Sequence, residues 1–187
     1  QGFVSDTYGP EAWALTARRA KLGFVDFESM LVYDDSVTER VLNEITTKHR
    51  KSREEVLEDI GTYLVSHPNV EALRRLLRFG GVDFIDFLHS LDDLPDRARL
   101  AVAELNLPAL EIREHDANRF SLTCTPRSPG YGPGMLGVLR AVADDYGALV
   151  MLDYQRRGAN SEVIEIILVE NGFTEGRSFN LGAGTSA

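Results

Sequence analysis

The sequence predicts an α+β fold, with its helices first and its sheet second. Three features lead there. Apolar residues recur at helical spacing in nearly every segment as far as Leu105. From Leu110 onward the apolar runs are short, rich in β-branched residues and separated by turn formers. No segment repeats, so the two characters belong to one architecture and not to an array. We read residues 1–182 as a single domain, helical over 1–105 and sheet-forming over 106–180, with 183–187 as a tail.

The chain opens on Gln1-Gly2-Phe3-Val4, which reads as the interior of an element, so a few native residues are expected before it. Tyr8-Gly9-Pro10-Glu11 is a turn into a helix with Pro10 at its first position, where a missing N–H costs nothing. Trp13, Ala17 and Ala20 share one face of that helix, Trp13 as a core anchor, and Leu22-Gly23 ends it. Tyr33-Asp34-Asp35-Ser36 is a turn, and Ser36-x-x-Glu39 predicts a capping box before a helix with Val37, Val41, Leu42 and Ile45 inside. A second box, Ser52-x-x-Glu55, opens a helix carrying Val56, Leu57, Ile60, Leu64 and Val65, which His67-Pro68-Asn69 stops. Val70–Leu77 is a further short helix, closed by Phe79-Gly80-Gly81.

The next stretch is the most informative. Phe84, Phe87, Leu88 and Leu91 keep the i, i+3, i+4, i+7 spacing of an amphipathic helix. At about 100° per residue the next inward position is 95. It holds a proline. Pro95 lacks a backbone donor and clashes with the carbonyl four residues earlier, so the helix must end, kink or restart there. The plain reading is a boundary, with Asp92 and Asp93 supplying capping oxygens and Pro95 opening a new helix through Asp96–Leu105.

Leu110–Arg113 and Arg119–Thr125 read as strands joined by a polar turn around His115-Asp116-Ala117-Asn118. A Pro- and Gly-rich loop, Ser128–Gly134, precedes an apolar helix over Met135–Tyr146. Ala148–Gln155 and Glu162–Val169 form a hairpin around Arg157-Gly158-Ala159-Asn160. Arg177–Asn180 is expected as an edge strand, and the tail after it as disordered.

Composition narrows the function. With 43% apolar and 26% charged residues in 187, the chain has material for one substantial core. A net charge of −9 argues against non-specific binding to nucleic acid or an anionic membrane, since both require a basic surface. No apolar run approaches the ~18 residues of a membrane span. One cysteine, Cys124, leaves no internal disulfide, and a reducing cytoplasm is the expected compartment. There is no phosphate-binding glycine loop, no nucleophile elbow and no zinc-protease motif, and a non-enzyme is expected. Two prolines make Gly130-Tyr131-Gly132-Pro133-Gly134 a bent connection and not a phosphate cradle.

The run Phe84-Ile85-x-Phe87-Leu88-x-x-Leu91-Asp92-x-Leu94 resembles the signature helix of H-NOX domains, heme–nitric oxide/oxygen sensors related to the heme domain of soluble guanylate cyclase. Further pieces fall in the family order: Tyr8-Gly9-Pro10-Glu11-x-Trp13, Tyr33-Asp34-Asp35, Leu107-Pro108-x-Leu110, and Arg127-x-Pro129-Gly130 leading to Leu136-Gly137-x-Leu139. The resemblance spans nearly the whole chain and implies a helical half followed by a sheet with a long helix against it. It also implies heme b as cofactor, with a histidine directly after the signature run as iron ligand. Here that residue is Pro95, which has no donor atom for iron.

The family's Tyr-x-Ser-x-Arg strand, which holds the heme propionates, is matched by Thr123, Thr125 and Arg127. Arginine suits that task through its planar fork of donors; threonines in a strand and a solvated arginine need no ligand at all. Pro108 matches the proline that packs on the porphyrin, and equally ends the helix before it. Of the four histidines, His89 lies about 240° around the helix from position 95 and His49 sits in a charge run. His67 precedes Pro68 at a helix end, where capping a carbonyl is its usual role, and His115 falls in a turn. Cys124 alternates to the strand face opposite Thr123 and Thr125, and Met135 reads as a core filler or a weak axial ligand. No grouping has metal-ligand spacing.

Two functions follow from the resemblance. One is a heme-binding gas sensor that signals to a histidine kinase or a cyclic-dinucleotide enzyme. The other is a heme-independent relative, with an interior filled by side chains or holding an apolar or carboxylated molecule anchored by Arg127.

Overall fold

Two apolar clusters organise the molecule, one in the helical half and one between helices and sheet. The computed structural model describes residues 1–28, 31–101, 107–125, 130–158 and 161–177. The first cluster gathers Val4 of α1 (Gly2–Tyr8), Trp13 and Ala17 of α2 (Pro10–Arg19), Val37, Leu42 and Ile45 of α3 (Asp35–His49), and Val56 of α4 (Arg53–Ser66). The indole N–H of Trp13 is satisfied by the Val25 carbonyl at 2.6 Å, so the ring is a core anchor with its polar edge paired. Helix α2 stops at Arg19, short of the expected Leu22-Gly23, because Lys21 takes a φ of 51° and folds Leu22 back into the core.

The two expected capping boxes differ. The box at Ser52 forms: its hydroxyl accepts from the Glu55 N–H (3.1 Å), and the Glu55 carboxylate accepts from the Ser52 N–H (2.6 Å). The box at Ser36 does not. Asp34, two residues earlier, accepts from the Ser36 N–H and becomes the cap, which frees Glu39 to receive a bidentate grip from Arg53. A 3-10 turn (Pro68–Val70) and α5 (Glu71–Arg78) complete this half.

The signature stretch is broken into α6 (Phe84–His89) and α7 (Leu94–Ala101). After Phe87 the backbone tightens to i→i+3 bonds, from Ser90 to Phe87, Leu91 to Leu88 and Leu94 to Leu91. Tighter winding turns the chain further per residue, so the inward position after Leu91 falls on Leu94 and not on 95. Leu94 is buried and Pro95 only half-buried, in the first turn of α7. Asp92 is not a helix cap either: its carboxylate accepts from the Ile112 N–H (2.7 Å) of the neighbouring strand.

The sheet has four antiparallel strands in the order β1-β2-β4-β3: β1 (Ala109–Asp116), β2 (Arg119–Thr125), β3 (Leu149–Arg156) and β4 (Glu162–Glu170). β1 runs through His115, which was expected in a turn, because the His115 imidazole and the Ser121 hydroxyl bond across the hairpin at 2.8 Å. Phe120, Leu122 and Cys124 of β2 and Ile164, Ile166 and Leu168 of β4 share the inner face, against Phe84, Phe87 and Leu88 of α6 and Leu139 and Val142 of α8 (Tyr131–Tyr146). α8 starts at Tyr131, four residues before the expected Met135, so part of the supposed loop is its first turn. Pro133 is tolerated there for want of an intrahelical partner. Arg177 is in no strand; 178–187, including the rest of the expected edge strand and the tail, lie outside the described residues, as does 102–106 of the helix expected before Pro108.

Candidate functional site

A buried carboxylate sits at the start of α8. The carboxylate of Glu162, 2% exposed, accepts from the backbone N–H of Gly130 (2.9 Å) and Gly132 (2.6 Å) and from the Tyr154 hydroxyl (3.2 Å). These are the donors a helix leaves unpaired at its N-terminus, and the helix dipole favours a negative charge there. In the ladder Glu162 lies opposite Cys124 on one side and Arg156 on the other. Burial pushes the Tyr154 hydroxyl up to about 12, with the Glu162 charge adding to it. The same two causes, in the same order, raise the Cys124 thiol to about 12. Burial raises Tyr131 as well.

Above this carboxylate opens a cleft of about 400 Å³ between the helical half and the sheet. Arg53 of α4, Arg156 of β3 and Pro133 of α8 line it, with Glu162 at its base. Below the cleft, α4 and α8 cross with their backbones in contact. A Cβ on Gly61 would overlap the Gly134 carbonyl, and one on Gly137 would overlap the Glu58 carbonyl. A second bond between the halves is the buried ion pair of Arg74 Nε and Asp145 (2.5 Å).

Thr123 and Thr125 lie on the sheet face opposite Leu122 and Cys124, hence away from α6 and α8. Arg127 lies outside the described residues, and Pro108 is half-buried at the entry to β1. His49 stacks on Tyr8 with ring centroids 3.9 Å apart, and burial, then Lys48 and Lys51, lower its pKa. His67 accepts from the Asn69 N–H through Nδ1, where the sequence suggested it would cap a carbonyl. His89 faces Glu114 at 3.4 Å and Phe120 edge-on. Met135 is buried in the core. Among the described residues no cluster of histidine, cysteine and carboxylates has the geometry of a metal site.

Sequence reasoning missed Glu162, Tyr154, Arg53 and Arg156. One signal was available: Glu162 occupies an inward position in the alternation Glu162, Ile164, Ile166, Leu168, where a lone charge must have a partner.

A family model described as Haem-NO-binding matches residues 1–153. The chain belongs to the haem-NO-binding (H-NOX) family. That family comprises heme-based gas sensors, and H-NOX domains commonly signal to partner kinases or cyclases. An H-NOX mutant of T. tengcongensis superposes with a TM-score of 0.75 at 15% identity, covering 91% of this chain and 93% of that one. The S. oneidensis H-NOX protein in its Fe(II)NO ligation state gives 0.72 at 18% identity, over 89% and 93%. A double mutant of the Tt H-NOX gives 0.74 at 14% identity, over 94% of each. At these identities the likeness concerns the fold, an α+β arrangement of helices and one antiparallel sheet, as the sequence implied. No curated protein matches. No helix among the described residues is long and apolar enough to cross a membrane.

Proposed function

We propose that this chain is a heme-independent H-NOX domain, a binding or regulatory module and not an enzyme. The observation that carries the reading is Pro95. By the resemblance it stands directly after the signature run, where the family's iron ligand is expected, and it offers iron no donor atom. The surrounding geometry supports the same reading. Each histidine is engaged at its own site, Thr123 and Thr125 face away from the helices, and α4 and α8 leave no gap at their crossing. These features favour an interior without heme. The backbone donors at the start of α8 are taken by the chain's own Glu162. By family resemblance the partner is a histidine kinase or a cyclic-dinucleotide enzyme, and the single buried cysteine suits a reducing cytoplasm.

Titration of the purified protein with hemin, followed by absorption, tests this. The expected result is a free-hemin spectrum without saturation, insensitive to nitric oxide and carbon monoxide. Pro95→His is expected to stay without stoichiometric heme, because restoring a ligand does not part α4 from α8. A sharp Soret band in the unaltered chain that shifts with either gas would overturn the reading and establish a gas sensor.

A further inference from the structure

The two edges of the sheet are built differently, and the geometry points to β3 as a docking edge for a basic, extended segment of another protein. β1, one edge, is obstructed. The Asp92 carboxylate occupies the Ile112 N–H, and Glu111, Arg113 and Glu114 crowd the strand with charge. Such features keep an edge from pairing with another chain. β3, the other edge, carries a single acidic residue, Asp153, along Leu149–Gln155, and Arg156 only at its end.

The outer face beside that edge is apolar. Met151 is 62% exposed, Val169 52%, Ile167 41% and Leu149 38%, and Met151 lies directly opposite Ile167 in the ladder. After β4 the described chain turns away from this face. Thr174 and Arg177 donate their N–H groups to Gly147 and Asp145 at the far end of α8, on the helical side of the sheet. The described residues thus leave the patch uncovered.

Charge selects the occupant. Around the patch Arg119 and Arg157 are held by Asp116 (2.6 Å) and Glu165 (3.2 Å), and Arg156 stands at the end of β3 opposite Glu162. Asp153 receives only the neutral Gln155 amide, and Glu170 is exposed beside Leu149. The rim is acidic, and the whole chain carries −9. A second copy would bring like charge to like charge. A segment with apolar residues at alternate positions and basic residues between them would extend the sheet through main-chain bonds, continue the Met151 row and answer the rim. This inference stands independently of what the interior holds.

Two synthetic peptides test it, one alternating valine with lysine and one alternating valine with glutamate. The first is expected to bind saturably and to protect β3 amides from hydrogen exchange, and the second not to bind. Met151→Lys and Ile167→Lys are expected to weaken the first by about tenfold, roughly 1.4 kcal/mol, with unchanged melting temperatures. Equal binding by both variants, protection confined to another element, similar binding of both peptides, or a peptide-free dimer in sedimentation would each overturn it.

Discussion

Glu162 is the residue on which most of the local chemistry turns. Its carboxylate accepts from two glycine N–H groups and from the Tyr154 hydroxyl. Glu162→Gln substitutes a neutral amide whose NH₂ must face an N–H donor. It is expected to cost about 1.5–3 kcal/mol, the usual worth of a charge-assisted bond, as a shift in urea midpoint at constant slope. Nearby, Cys124 is fully buried and its thiol is held far above neutral pH, so it is expected to stay inert towards a thiol-reactive disulfide at pH 8 until the protein unfolds. Titration with the reagent, native and in urea, checks this. None of this was legible in the sequence beyond one misplaced charge in an apolar strand. The partners of Glu162 lie thirty or more residues away in chain order at Gly130 and Gly132, and eight away at Tyr154, and no local rule joins them.

Among the elements, what could be read ahead depended on whether the determinants were local. The Ser52–Glu55 box formed because all its atoms lie within one turn, with no competing cap upstream. The Ser36 box failed to the closer competitor, Asp34. The break before Pro95 was legible as a break, whereas the shift of the inward position to Leu94 was not. It arises from a tightened turn and from a tertiary bond that takes Asp92 away to β1. The glycines of α4 and α8 likewise carried no signal as a pair until both helices were in place. Gly61→Ala and Gly137→Ala each push a methyl into a facing backbone carbonyl. Each is expected to destabilise the fold by about 1–3 kcal/mol, the range for overpacking, measured by chemical denaturation. Asp145→Ala takes from the half-buried Arg74 its carboxylate partner at 2.5 Å and is expected to cost about 1.5–3 kcal/mol, the usual worth of a hydrogen bond to a charged group, by the same measurement.

For the whole molecule, alkaline pH is the weak side. Tyr63, Tyr154 and Cys124 all have folded-state values raised to about 12, from 10.0 for the tyrosines and 9.0 for the thiol. The fold holds these groups neutral. Their contribution to stability is full below the unfolded values, falls as pH rises past about 9–10, and is gone above the folded values near 12. The tyrosinate absorbance of Tyr63 and Tyr154 is therefore expected to appear together with loss of the helical circular dichroism signal. The overall class and the order of helices and strands were visible in sequence because hydrophobic period is a property of each segment alone. What the halves enclose between them was not, since it depends on how closely two distant helices approach.

That approach has a mechanical meaning. Where Gly61 of α4 and Gly137 of α8 each face the other helix, backbone meets backbone with no side chain between, so the helices cannot slide or roll there without parting. The crossing is a weld and not a hinge. A push on the helical half is expected to reach the sheet through α8. Its leading end bears on Glu162, and through Glu162 on the strand next to the open edge β3. Amides in the middle turns of α4 and α8 are accordingly expected to exchange hydrogen at one common rate, as a single opening unit.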